Sequence, residues 1–170
     1  AEQMNDVLAK NSGEYPAVRN FAWATPEGRT IASNLPAAIG LDVATRPYYQ
    51  QIIAGTDHVI SDLFTSQIDG APCFSISKGI RDASGSLLGI IIAIVVADEL
   101  DQVLTIERAK GGSMALVDGK GMLVYTYPAV DVTWEERNWI TQYPQFEEVL
   151  KGKEVASTVI DGIARSQGIE

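Results

Sequence analysis

The run Leu87–Ala97, LLGIIIAIVVA, constrains this chain more than any other segment. It is apolar at both parities, and a strand with two apolar faces belongs in the middle of a sheet covered on each side. Eleven residues fall short of the ~20 that a helix needs to cross a bilayer. The run therefore predicts a central strand over 88–96 and no membrane span.

Other strands should flank it. Phe21–Ala24 meets the turn Pro26-Glu27-Gly28, and Arg29–Ser33 alternates as a return strand. His58–Thr65 and Pro72–Ile80 are further strand candidates, bounded by Asp69-Gly70 and Ser84-Gly85. Within Pro72–Ile80 the pleat puts Cys73, Ser75 and Ser77 on one face and Phe74, Ile76, Lys78 and Ile80 on the other. Helices are expected over 1–10, closed by Asn11-Ser12-Gly13, and over RPYYQQIIAG, with Pro47 in its first turn and Gly55 past its end. A short helix is expected at Asp98–Leu104.

The pattern then restarts. Ser113–Val117, the turn Asp118-Gly119-Lys120-Gly121 and Met122–Tyr127 form a second hairpin. Trp134–Val149 has helical spacing interrupted by Pro144, and Val155–Ile160 reads as a strand. The hairpin glycines Gly28 and Gly121 lie 93 residues apart, the helix-ending Gly55 and Gly152 lie 97 apart, and the two Asp-Gly turns 92. Such agreement predicts two copies of one structural unit, the second lacking its last strands.

Composition narrows the function classes. With 13 Lys+Arg against 22 Asp+Glu the net charge is −9, which offers no basic footprint for nucleic acid. One cysteine and one histidine permit neither an intrachain disulfide nor a zinc site, and no cofactor is expected. The opening AEQMNDVLAK is no secretory leader. No nucleophile with a partnering histidine assembles around a single His58 and Cys73, and Glu135-Glu136 and Glu147-Glu148 sit side by side on helical segments, pointing apart. The residues therefore argue against an enzyme.

In order, WATPEGRTIAS, GLDVATRPYYQQIIAG and HVISDLFTSQIDGAPCFSISKGIRDASGSLLGIIIAIV resemble the membrane-distal half of a double Cache sensor, a PAS-like input domain of prokaryotic histidine kinases, chemoreceptors and diguanylate cyclases. SMALVDGKGMLVYTYP through FEEVLKGKEVASTVIDGIAR resembles the membrane-proximal half. The resemblance implies an α+β fold of two PAS-like modules in tandem, each an antiparallel sheet of about five strands flanked by helices. Residues 1–13 would be the top of a long N-terminal helix, 14–104 the distal ligand-binding module, 105–112 a linker and 113–170 a truncated proximal module. It also implies an extracytoplasmic domain of a membrane-anchored signalling protein, dimeric through its N-terminal helix, with the output domain elsewhere.

In that family an Arg-x-aromatic-Tyr element borders the distal pocket, and Arg46, Tyr48 and Tyr49 match it here. A guanidinium fork suits a carboxylate, and phenols supply apolar walls with polar tips. Phe64, Phe74, Ile76 and Lys78 are the further candidates, with Phe74, Ile76 and Lys78 favoured over the serine face of their strand. The amino-acid-binding members add a Trp, where this chain has Tyr48, and an Asp, where Ser66 stands; Asp62 could replace that Asp only in a shifted register. The expected ligand is accordingly a small carboxylate or similar polar metabolite, ahead of an α-amino acid.

Overall fold

The computed structural model describes residues 2–12, 14–102, 104, 114–144 and 147–152. An opening helix, α1 (Glu2–Ser12), leads into the hairpin β1 (Val18–Ala24) and β2 (Thr30–Ser33). After a 3-10 turn at Pro36–Ala38 come α2 (Pro47–Ile53), β3 (His58–Ile60), β4 (Phe64–Thr65), β5 (Pro72–Arg81) and β6 (Leu87–Val96). These strands form one antiparallel sheet in the order β2-β1-β6-β5-β3, with β4 also paired to β5. The apolar run is β6, held between β1 and β5 as its two-faced hydrophobicity requires.

The sheet has six strands rather than about five, because His58–Thr65 is broken in two. At the break the Ser61 amide donates to the Ser75 carbonyl (2.9 Å), and the Ser61 hydroxyl accepts from the Ser75 amide (2.9 Å). From Ile60 to Phe64 the chain advances four residues while its partner retreats three, from Ile76 to Cys73. That extra residue is a bulge, and it inverts the faces beyond it. A second irregularity lies between Val18 and Asn20 on β1.

The second module begins with the hairpin β7 (Met114–Val117) and β8 (Leu123–Tyr127). The expected helix over Trp134–Val149 is cut to α3 (Trp139–Gln142) and α4 (Glu147–Leu150), with Pro144 between them. The short helix expected at Asp98–Leu104 is a 3-10 segment, Ala97–Gln102. The expected linker 105–112 and strand Val155–Ile160 lie outside the described residues. Among the described residues no helix is long and apolar enough to cross a membrane.

The predicted repeat appears as matched geometry. In the first hairpin the Thr25 hydroxyl accepts the Glu27 and Arg29 amides, and in the second the Asp118 carboxylate accepts those of Lys120 and Met122. Each turn has its glycine at positive φ, +89° for Gly28 and +79° for Gly121. Each glycine carbonyl then accepts from a later segment, Val43 N–H at 2.8 Å and Trp139 N–H at 3.1 Å. A Cβ on Gly28 would stand 2.7 Å from Ala44 Cβ, and one on Gly121 2.6 Å from Ile140 Cβ, so both glycines are packed under that segment.

Two apolar clusters hold the chain together. One joins Ala22, Ile90 and Ile92 of the sheet to Tyr48, Tyr49 and Ile52 of α2. The other joins Leu63, Val95 and Leu100 to Val124 and Tyr125 of the second module, with Phe74 packed against it.

Candidate functional site

Arg46 stands immediately before α2 in extended conformation (φ −74°, ψ 136°), its amide donating to the Val43 carbonyl (2.9 Å) and its carbonyl accepting from the Gln50 amide (3.1 Å), where Pro47 opens the helix with a preset φ. Tyr48, Tyr49 and Ile52 then fall on the buried side of α2. The Arg46 guanidinium lies over the Phe64 ring, 4.9 Å from its centroid, and Tyr48 packs on the same ring at 5.9 Å. Phe64 reaches them because of the bulge. It pairs with Cys73 and so shares the face of Ser75 and Ser77, whereas an unbroken strand would have put it beside Ile60 on the other face.

These three residues border a cavity of about 50 Å³, room for a ligand of only a few non-hydrogen atoms. Its floor is the sheet, through Asn20, Ala22, Ile92 and Ile94; its rim includes Thr30, Leu41 and Val43. Ser66, Gln67 and Ile68 close it beyond Phe64. Among the described residues no Asp or Glu lines it, and the Arg46 guanidinium forms no hydrogen bond or ion pair. The Tyr48 phenol is likewise without a protein partner among them, and burial pushes its pKa up to about 12, so it is a neutral donor at physiological pH. An unpaired cation beside a neutral phenol, in a site without acids, is complementary to a small anion.

Of the residues expected from sequence, the cavity brings together Arg46, Tyr48 and Phe64. Tyr49 turns away and donates its hydroxyl to the Pro26 carbonyl, bracing the first hairpin. Asp62 faces the second module, with its carboxylate 3.3 Å from Lys120 Nζ. Phe74, Ile76 and Lys78 occupy the opposite face of β5, the reverse of the parity favoured above. The physical reason is register: Ser75 and Ser77 pair with Ile94 and Ile92, which line the cavity, so the alternate residues point away. On that far face Phe74 packs between the modules, Ile76 is exposed, and Lys78 is 56% exposed with Asp57 at 3.4 Å. Ser66, which the resemblance placed where the amino-acid receptors carry an aspartate, lines the cavity.

Most of the other lining residues escaped the sequence reading, among them the polar Asn20, Thr30 and Gln67. Asn20 shares the parity of Ala22 and Ala24, a polar residue on a buried face, and that was the available clue. Starting the strand at Phe21 left it out of frame. The other polar features stay apart from the cavity. Cys73 is buried with its thiol pKa raised to about 11 by desolvation, His58 is exposed beside Asp57, and no metal-binding cluster occurs among the described residues.

Solved structures share this architecture. The extracellular domain of a histidine kinase designated rpHK1S-Z16 superposes with TM-score 0.66 at 18% identity, over 87% of this chain and 63% of that one. The sensor domain of the Vibrio cholerae histidine kinase DctB gives 0.58 at 22%, over 85% and 57%. The ligand-binding domain of the Pseudomonas aeruginosa amino acid chemoreceptor PctB, in complex with L-Gln, gives 0.60 at 14%, over 85% and 58%. At such identities the likeness is one of fold, and the chain spans about three-fifths of the length of these domains. A search of curated proteins returns no match. The Cache domain family matches residues 1–168, nearly the whole chain, and with the fold described above this protein belongs to the Cache domain family of sensor input domains.

Proposed function

We propose that this chain is the extracytoplasmic input of a membrane-anchored signalling protein, and that its first module, residues 14–104, binds a small carboxylate in the Arg46 cavity. The observation that carries the ligand class is the Arg46 guanidinium, stacked on Phe64 and without a partner or an acidic neighbour in the cavity among the described residues. An α-amino acid would bring an ammonium with no carboxylate to receive it, so a carboxylate without an amine is the better fit. The histidine kinase or cyclase output belongs to the longer parent protein, and pairing of two copies through α1 would use its exposed Met4 and Val7.

Transmission would run through the bulge. Phe64 touches Arg46, while the amide of the preceding Leu63 donates to Asp118 of the second hairpin at 2.8 Å. A ligand that binds more tightly when Phe64 is drawn over the cavity would shift the 61–64 segment and, with it, the second module.

Thermal unfolding in the presence of acetate, propanoate and a panel of L-amino acids tests this reading. At a hundredfold excess over Kd a bound acid stabilises by about 2.7 kcal/mol, a rise of several degrees in Tm. Arg46→Ala should abolish the rise while leaving the unliganded Tm unchanged. Stabilisation by amino acids alone, or by acids in the Arg46→Ala protein, would refute it. Silence toward every compound would leave the fold as an interaction module.

A further inference from the structure

We infer that the cavity selects a carboxylate bearing one further oxygen, a hydroxy or oxo acid, through Asn20 and Thr30. The inference deepens the carboxylate reading above and rests on it. Asn20 is only 3% exposed, lines the cavity floor, and its side-chain amide makes no hydrogen bond among the described residues. Thr30, also 3% exposed and on the rim, has a hydroxyl in the same condition. Their backbones are fully used, Asn20 in the ladder with Ile94 and Thr30 through its amide to the Leu41 carbonyl, so the side chains are left for whatever enters.

The amide opens on the cavity beside Ala22, Ile92 and Ile94 with no protein partner among the described residues, and a polar group so placed costs stability unless something in the cavity bonds it. Leucine has the same branched shape, somewhat larger, and carries no polar group to satisfy. Retaining Asn20 there makes sense if the ligand supplies the missing bond. The amide both donates and accepts, and so does a threonine hydroxyl, which suits a hydroxyl or carbonyl oxygen rather than a second carboxylate, for which no second cation lines the cavity. At about 50 Å³ the space holds a two- or three-carbon acid, small enough to meet Arg46 and the sheet-side groups together. A site built to hydrogen-bond an oxygen discriminates strongly against the analogue that lacks it.

Calorimetric titration with propanoate, 2-hydroxypropanoate and 2-oxopropanoate reads this directly. The wild type should bind one of the oxygenated acids at least ~10-fold more tightly than propanoate. Asn20→Leu should erase that preference and raise the unliganded Tm; Thr30→Val should reduce the preference without erasing it. Equal binding of all three acids by the wild type, or a preference that survives Asn20→Leu, would overturn the inference while the Arg46 reading stands. A lowered Tm in unliganded Asn20→Leu would also overturn it, since the amide would then be structural. Failure of all three acids to bind, or binding that persists in Arg46→Ala, would overturn the underlying carboxylate reading and this one with it.

Discussion

The two hairpins carry the same turn, the same buried glycine and the same return contact, yet the segments they hold do opposite things with their polar groups. In the first module the stretch after the return contact runs Val43-Ala44-Thr45-Arg46; in the second it runs Trp139-Ile140-Thr141-Gln142. The Arg46 guanidinium faces a cavity with no partner among the described residues, whereas Gln142, at the corresponding place, gives its amide to the Glu136 carbonyl at 2.8 Å. The second module does bury a guanidinium, but Arg137 is held by protein partners on both terminal nitrogens. It is 4% exposed, donates to the carbonyls of Leu123 (3.0 Å) and Val124 (3.4 Å), and pairs with Asp98. A buried cation whose bonds are all made inside the protein is structure, and one left open beside a cavity is available to a ligand.

That contrast breaks first at Arg137. Arg137→Leu strands two backbone carbonyls and leaves Asp98 alone, and should destabilise by about 3 kcal/mol in urea unfolding. Acid binding to the refolded protein should be unchanged. A loss under 1 kcal/mol would show that this arginine is not the structural one.

Next comes Arg46→Gln, which gives the first module the residue of the second. Binding of the preferred acid should fall ~100-fold, about 2.7 kcal/mol, while unfolding of the free protein moves by less than about 0.5 kcal/mol. An appreciable fall in stability would place Arg46 in the same class as Arg137.

Tyr48 sharpens the comparison through alkaline titration. Its phenol ionises near 12 when folded, chiefly from burial, against an ordinary value of 10.0. The folded pKa is raised, so the stabilisation is complete below about pH 10 and disappears as pH climbs from 10 to 12. Up to roughly 2–3 kcal/mol is lost over that window. Tyrosinate absorbance should show this late step, and Tyr48→Phe should remove it.

The smallest effect is expected at Asp62–Lys120, a pair 37% and 67% exposed between the modules. Asp62→Ala should shift stability by less than about 0.5 kcal/mol, and the shift should shrink further with added salt. A larger loss would mean that the bridge, and not the Asp118 bond to Leu63, holds the modules together.

Much of this was readable locally. The two-sided hydrophobicity of Leu87–Val96 announced the central strand, Pro47 and Gly55 bracketed α2, and the spacing of Gly28 and Gly121 anticipated the repeated hairpin. Each rests on backbone preferences or on a run of one composition, properties that a short window of chain carries by itself. The resemblance of RPYYQQIIAG to the Arg-x-aromatic-Tyr element pointed to Arg46, but which of two adjacent tyrosines turns inward was open. Only the packing of α2 sent Tyr48 to Phe64 and Tyr49 to the Pro26 carbonyl.

The sequence by itself determined the elements, their order and the pair of matched turns, because those follow from local propensity and pleat. The tertiary structure decided which faces meet the cavity. A strand alternates with period two, so one inserted residue exchanges its faces, and the insertion at Ser61–Leu63 depends on hydrogen bonds to Ser75 fourteen residues away. That single displacement brought Phe64 under Arg46, onto the face that Asn20 already shares with Ala22 in the regular part of the β1–β6 ladder. Pairing across strands is a long-range event, and no local pattern announces where a ladder will slip.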